Sequence, residues 1–449
     1  MHTTQLRLRW GLLLTAFAFI GAAACTNNDL DPAATATPSK GTADFTKYVA
    51  VGNSLTAGFA DNGLYRDGQL NSYPNILAGQ FRTVGGGDFV QPLFTEAQAA
   101  GSGHLKLIRV PNPADPTSLL TSIAQVAPGA VRGGTSGSGA PLLTQFTAAN
   151  QNLGVPGIQV ADLLTVGYGS TQGNQYFERL LTDPRTTYFQ YASDNLNGAT
   201  FYSCWLGSND ALKYATSGGV VAPTPTPLFT TNFTAMMNKL AEGGRKGVVV
   251  GIPDITAAPY FTTITVGLVL AQINFLLRPS RPITALFVQT ANGVRSTQAG
   301  DLLLLPNALE YAKIGTLMAG NRTGPYGLST ANPLPTQYVL DAGEVTALNT
   351  AVTTFNGVMK TQADAKGAAY VDPNVAFSPI TSETGLVQNG VTYTSRFIQG
   401  GVYSLDGLHL TPAGYAIVAN ELIRGVNAKY SSTIAPISPG NYRRVLLQP

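Results

Sequence analysis

The sequence predicts an α/β fold, a three-layer α/β/α sandwich around a doubly wound parallel sheet carrying long loop insertions. Two observations predict it. Four short apolar runs, "YVAVG" (48–52), "ATFYSCWLG" (199–207), "GVVVGI" (247–252) and "AAYVD" (368–372), are rich in β-branched or aromatic residues and bounded by Gly, Asp or Asn. Apolar character without alternation suits parallel strands buried on both faces. Helical segments separate the runs, among them "TNFTAMMNKLAEGGRK" before the third and "VTALNTAVTTFNGVMKTQADAKG" before the fourth. In such sheets ligands bind beyond the carboxyl ends of the strands, so candidate chemistry is sought there.

In chain order, the N-terminus comes first. Arg7 and Arg9 precede the uncharged "GLLLTAFAFIGAAA", which ends at Cys25. A charged start, a short apolar run and small residues before the cleavage point are the parts of a secretory signal peptide, here residues 1–24. The run is too short to span a bilayer comfortably. Small residues leading into a cysteine resemble a bacterial lipobox, with Ala22 where Leu or Val is usual, which implies a lipid on Cys25. Residues 25–44 then read as a lipid-attached flexible tether, small, polar and proline-containing. Asp29 and Asp31 within it resemble the acidic surface-export signals of Bacteroidota lipoproteins. The expected location is therefore across the inner membrane, anchored by lipid at the outer membrane or cell surface.

Bulk composition sets further limits. Of 449 residues, 44% are hydrophobic and 11% charged, which argues for a folded chain and against disorder. The formal charge is +3 and no Lys/Arg block occurs, so the electrostatic footprint of nucleic-acid binding is missing. The two cysteines are Cys25 and Cys204. With Cys25 lipidated no intrachain disulfide can form, and Cys204, inside "TFYSCWLG", reads as a small buried hydrophobe. Neither a metal cluster nor a redox pair is expected, and no cofactor.

Long irregular stretches lie between the regular units, about 82–150 and about 255–345, which reads as functional loops or binding surfaces. Within the second, "ITAAPYFTTITVGLVLAQINFLL" (255–277) carries no charge, but Pro259, several threonines, Gln272 and Asn274 make it a poor membrane span. A buried or lid helix is expected. The main domain is placed at 45–430 and a C-terminal tail at 431–449.

The candidate chemistry begins right after the first apolar run, in "VGNSLTAGF". Ser54 falls at the carboxyl end of a predicted strand, in a turn that opens a helix. There it could present its hydroxyl above the sheet edge with helix N-terminal amides nearby, or merely cap the helix. "NLGVPG" puts Gly157 in a tight turn, and "WLGSND" puts Asn209 directly after the second predicted strand. "LDGLHLTPAGY" brings Asp406 and His409 together before a helix with Thr411 as N-cap and Pro412 in its first turn. Asp210 reads as a cap for the helix that follows it. Asp254 and Asp372, also at strand ends, are alternative carboxylates whose other role is turn formation.

These four elements, in this order, resemble blocks I, II, III and V of the SGNH, or GDSL, hydrolase superfamily. "GNSL" stands where that family has GDSL, "GVPG" carries the block II glycine, "GSND" matches GxND and "DGLH" matches DxxH. The likeness runs from about residue 45 to about 430. It implies a flavodoxin-like sheet and a serine esterase or lipase. In that reading Ser54 is the nucleophile, His409 the base and Asp406 its orienting acid. The Ser54 and Gly157 N–H groups and the Asn209 amide form the oxyanion hole. Asn53 replaces the usual Asp and is expected to support the turn through local hydrogen bonds. The expected partners are an ester substrate, an acyl ester or acetylated glycan, and the membrane that holds the lipid. An acyltransferase using the same site, or a surface binding lipoprotein without turnover, are the competing functions.

Overall fold

A computed structural model describes residues 37–112, 116–317 and 324–445. The leader, Cys25, Asp29 and Asp31 lie outside the described residues.

Among the described residues, five strands make the central sheet: β1 (Tyr48–Gly52), β2 (Asn152–Gly154), β3 (Phe201–Trp205), β4 (Lys246–Val250) and β5 (Ala369–Val371). They lie in the order β5-β4-β3-β1-β2, and every neighbouring pair is parallel. This is the flavodoxin-like doubly wound order, whose switch point falls between β1 and β3. Four of the strands are the apolar runs of the sequence. The fifth, β2, was not anticipated. The register pairs Gly52 with both Gly154 and Trp205, so β1, β2 and β3 end level with one another.

Alternation along the strands divides the core into two layers. Tyr48 and Ala50 pack on one face with Tyr73, Leu77, Trp205 and Ile417, while Val49 and Val51 pack on the other with Tyr202, Phe233, Met236 and Phe355. Val49, Val51 and Val249 are wholly inaccessible to solvent. Each such side chain contributes about 1.5–3 kcal/mol relative to an exposed one. The helices that matter for the site are α1 (Ser54–Ala57), α2 (Tyr73–Arg82), α3 (Ser208–Thr216), α4 (Thr226–Leu240), α5 (Val266–Leu277), α6 (Ala342–Ala365) and α7 (Pro412–Tyr430). Helices α2 and α7 cover the first face, and α4 and α6 the second. Helix α6 starts at a capping box in which the Asp341 and Glu344 side chains each accept the other's backbone N–H. Helix α7 starts as its sequence predicts, with Thr411 accepting the Gly414 N–H and Pro412 following.

The insertions have structure of their own. In the first, His104–Leu107 pairs with Ile123–Val126 and Val131–Thr135 with Pro141–Leu143, both antiparallel. The second gathers Ile264, Val269, Ile273, Leu286, Val288 and Leu334 into a separate small core. Its uncharged run, expected as a buried or lid helix, is only partly buried and is not one continuous helix. Pro259 starts one short helix, Pro259–Thr262, and the Thr265 hydroxyl caps α5 by accepting the Leu268 N–H, so the run is broken in two. Helix α5 buries Val269 and Ile273 and leaves Phe275, Leu276 and Leu277 exposed. At 12 residues it is roughly 18 Å long, short of the ~30 Å hydrocarbon core of a bilayer.

Beyond α7 the chain folds back. The Asn420 amide donates to the Ile437 carbonyl (2.8 Å) and accepts the Ile437 N–H (2.9 Å), while the Asn427 amide donates to the Ile434 carbonyl at 2.9 Å.

The closeness of α1 to the sheet generates a test. A Cβ on Gly154 would lie 2.3 Å from the Ala57 nitrogen, a backbone atom that cannot swing aside. Gly154→Ala is expected to push α1 off β2 and cost about 1–3 kcal/mol. Urea denaturation would read this as a lower midpoint with an unchanged slope.

Candidate active site

The site begins where β1 ends. Asn53 occupies the N-cap of α1, and its side chain accepts the Leu55 N–H at 3.0 Å, the turn-supporting role expected of it. Ser54 is the first residue of the helix, so its own N–H belongs to the first turn, whose amides have no partner within the helix. The residue is 7% exposed.

The loop before α7 delivers the other two groups. Tyr403 bridges Leu410, and the Ser404 N–H donates to the His409 carbonyl at 2.8 Å, closing residues 403–410 into a compact loop. His409 Nε2 lies 2.8 Å from Ser54 Oγ, and His409 Nδ1 lies 2.8 Å from Asp406 Oδ2. An ionised carboxylate only accepts, so Nδ1 carries the proton and Nε2 is left to accept the serine O–H. The Phe59 ring packs against the imidazole, with 4.6 Å between centroids.

Asp406 is half-buried, and this withdrawal from water opposes its ionisation, yet its carboxyl is held well below the usual carboxylate range. The charge and hydrogen bond of His409 outweigh burial, helped by the His409 and Leu408 N–H groups, which donate at 2.8 Å each. The Ser404 hydroxyl (3.2 Å) and the Asn62 N–H (2.9 Å) complete the set. Asp254 and Asp372, the alternative carboxylates, instead cap local turns, accepting the Thr256 and Asn374 N–H groups at 2.9 Å.

Asn209 stands at the start of α3, and its amide donates to the Ile158 carbonyl at 2.9 Å, leaving its second N–H for another acceptor. That bond ties it to the turn holding Gly157, whose φ of +84° is open to glycine at no steric cost. Ser54, His409 and Asn209 line one common pocket; Gly157 stands beside it, outside that lining. The rest of the wall is mostly apolar, including Leu55, Trp205, Leu212, Ile255, Ile380 and Ile417, around about 880 Å³ of space counted out to open solvent. Among the described residues, no three His, Cys, Asp or Glu side chains gather as a metal site would need. Cys204 is buried inside β3, and burial pushes its thiol up to about 12.

Asp210 corrects the sequence reading. It does not cap α3, which has Gly207 at its N-cap. Its carboxylate instead accepts the Val160 and Ala161 N–H groups (2.7 and 3.2 Å) and the Thr224 hydroxyl (2.7 Å). It thus anchors the short turn that follows Gly157. Local reasoning looked to the next helix, whereas the partner lies 50 residues away. Asn62, Phe59 and Ser404 were also missed. The Asp61-Asn62-Gly63 run is a turn signal that could have drawn attention to the first of them.

A parallel sheet in this order, with a hydrogen-bonded serine, histidine and aspartate at its carboxyl edge, is the architecture of an ester-hydrolysing enzyme. The chain belongs to the family described as GDSL-like Lipase/Acylhydrolase, which it matches over residues 48–422. It is also similar to the crystal structure of an extracellular lipase from Streptomyces rimosus, at 13% identity and a TM-score of 0.30, over 86% of this chain and 100% of that one. No curated protein sequence matches.

Asp210 gives the site a pH signature. Burial raises its carboxyl to about 6 from an ordinary 3.8, against the pull of its hydrogen bonds. The unfolded chain therefore releases this proton first as pH rises. Between about pH 4 and 6 the folded state holds more protons, so this group makes stability fall with rising pH. Asp406 acts oppositely and lower, its contribution being lost as pH falls below the ordinary 3.8. Comparing urea midpoints of wild type and Asp210→Asn from pH 4 to 7 should show the wild type losing ground to the variant as pH rises.

Proposed function

We propose that the chain cleaves carboxylic esters through an acyl-enzyme on Ser54. The observation that carries this reading is the unbroken hydrogen-bond relay from Ser54 Oγ through His409 to Asp406. A serine hydroxyl is a weak nucleophile at neutral pH and needs a base at hydrogen-bond distance. As Ser54 Oγ attacks the acyl carbon, His409 Nε2 takes its proton, and Asp406 stabilises the imidazolium that results. The carbonyl oxygen becomes negative. The Ser54 and Gly157 N–H groups and the free N–H of the Asn209 amide are the donors assigned to it.

Collapse of this intermediate breaks the bond to the alcohol oxygen, which leaves with the proton held by His409. Water then gives its own proton to His409 and attacks the acyl carbon. Expulsion of Ser54 Oγ, which regains a proton, releases the carboxylic acid. The largely apolar wall beside Ser54 supports an aliphatic acyl group as the part of the ester held by the enzyme. The reading extends to location: a lipid on Cys25 would hold the enzyme at the outer membrane or cell surface, supported by the residues leading into that cysteine.

Ser54→Ala and His409→Ala are each expected to lower kcat on a p-nitrophenyl ester by about 10⁴-fold or more with the fold retained. Asn209→Ala should cost about 10²–10³. Retained turnover by purified Ser54→Ala would overturn the assignment. The same panel, read as labelling by a fluorophosphonate, separates an enzyme from a binding protein without turnover, and added alcohols or glycans would reveal acyl transfer. The anchor is tested apart from activity: metabolic labelling with an alkyne fatty acid should mark the wild-type chain and not Cys25→Ala.

A further inference from the structure

Asp406 takes one hydrogen bond from a distant part of the chain, the Asn62 N–H, which donates to Oδ2 at 2.9 Å. This is the same oxygen that receives the His409 Nδ1 proton. Asn62 sits in a tight turn closed by Ala60 and Gly63, and both central residues are left-handed, Asp61 at φ +52° and Asn62 at φ +59°. Asp and Asn are, after glycine, the residues that enter that conformation most readily, and here the turn is also held by its partners.

The surroundings are specific. Asp61 is fully buried. Its N–H donates to the Ser404 hydroxyl at 2.9 Å, and its carbonyl accepts the Leu105 N–H at 2.7 Å. Its carboxylate accepts the Leu405 N–H at 3.0 Å and the Tyr65 hydroxyl at 2.6 Å. The turn that follows the nucleophile helix is thereby fastened to the loop that carries the triad acid.

Burial penalises the Asp61 charge, and the opposite charge that offsets it comes from the C-terminal segment. An Arg443 Nη2 lies 3.7 Å from Asp61 Oδ2 and also donates to the Tyr65 hydroxyl. Arg443 Nε donates to Asp67 at 2.7 Å, fixing the fork from its outer side. The Arg443 carbonyl accepts the Ala413 N–H at 3.0 Å, in the first turn of the helix that follows His409. One residue therefore grips both sides of the relay, through its side chain on the Asp61 turn and its backbone on α7.

We propose that Arg443 is a positioning residue for the hydrolytic relay: by neutralising buried Asp61 it keeps the Asn62 N–H on Asp406, and so keeps the carboxylate aimed at His409. Without the guanidinium, Asp61 keeps the Leu405 and Tyr65 donors but loses its counter-charge, and its carboxylate is drawn toward water. Reaching water opens the left-handed turn and withdraws the Asn62 donor. Arg443 is absent from the pocket wall, so substrate contacts are untouched and the effect falls on the chemical step.

The inference rests on Asp406 being the triad acid, and the experiment separates the two. In the full-length protein, Arg443→Ala is expected to lower kcat on a p-nitrophenyl ester by about 10- to 100-fold, the scale of a small misplacement, with KM unchanged. Arg443→Lys, which keeps the charge, should recover most of the loss. In the double variant Asp61→Asn with Arg443→Ala, residue 61 no longer needs a counter-charge, so kcat should rise above that of Arg443→Ala alone. The double variant also keeps the test usable if Arg443→Ala fails to fold. Wild-type kcat in folded Arg443→Ala, or a loss shared by KM with no recovery in either rescue variant, would overturn the proposal. Failure of wild-type Ser54 to react with a fluorophosphonate would instead overturn the triad reading, independently of Arg443.

Discussion

The site depends on one contact, the hydrogen bond between Ser54 and His409, which joins residues 355 positions apart. Closing a loop of that length carries an entropic cost that grows only with the logarithm of its length, but the ends must still meet at hydrogen-bond distance. The sheet supplies that accuracy. Ser54 is rigidly placed because β1 lies between β2 and β3, paired on both sides, and α1 sits against β2 at a glycine. His409 is placed because α7 is buried along most of its length against one face of the same sheet. Two elements that share one core therefore bring their ends to one rim, and the intervening insertions can be long without loosening the contact.

Three carboxylates, Asp61 and Asp210 buried and Asp406 half-buried, show how the local partners decide whether withdrawal from water is tolerated. Asp406 collects donors from Asn62, Ser404, Leu408 and twice from His409, and stays ionised far below the ordinary range. Asp210 has three weaker, uncharged donors, and burial prevails. Asp61 has two donors and a guanidinium at 3.7 Å, and its carboxyl too is raised, burial again leading. Asp406 has more donors than either of the others and the charge of His409 directly against it, which is why it is the one driven down. The carboxylate with a proposed chemical task is thus also the one whose charge the fold secures most firmly.

Much of this was legible in the sequence, for reasons that differ by element. The strands β1, β3, β4 and β5 could be read because a strand covered on both faces must be continuously apolar. Strand β2 could not. It has three residues, one of them glycine, and its Asn152 is buried by hydrogen bonds to the Thr56 carbonyl and the Gln91 side chain. A strand held by polar contacts leaves no apolar signature. The caps Asn53, Thr411 and Asp254 were readable because their partners lie within three residues. Asp210 and Arg443 were not, since what they hold lies 50 and hundreds of positions away, and a single sequence carries no record of such pairing.

The second insertion, the part of the chain hardest to read, reaches the pocket as well. It has its own small core, and it docks on the acid loop where the Tyr260 N–H donates to the Gly407 carbonyl at 3.0 Å. A Cβ on Gly407 would lie 3.0 Å from that same Tyr260 nitrogen, so the close seat requires glycine. The insertion begins by placing Ile255 and Ala258 in the wall of the pocket that holds Ser54 and His409. On the proposed reading, the sheet sets where a scissile carbonyl would sit, because Ser54 and Asn209 follow directly on β1 and β3. On that reading, what surrounds the acyl group is partly set by the insertion, which also lends Ile255, Ala258, Phe261 and Leu304 to the core on one face of the sheet. Within this stretch the two tasks lie close together: Ile255 and Ala258 face the pocket, while Tyr260 seats the loop that carries Asp406 and His409, so a change of wall there must leave that seat intact.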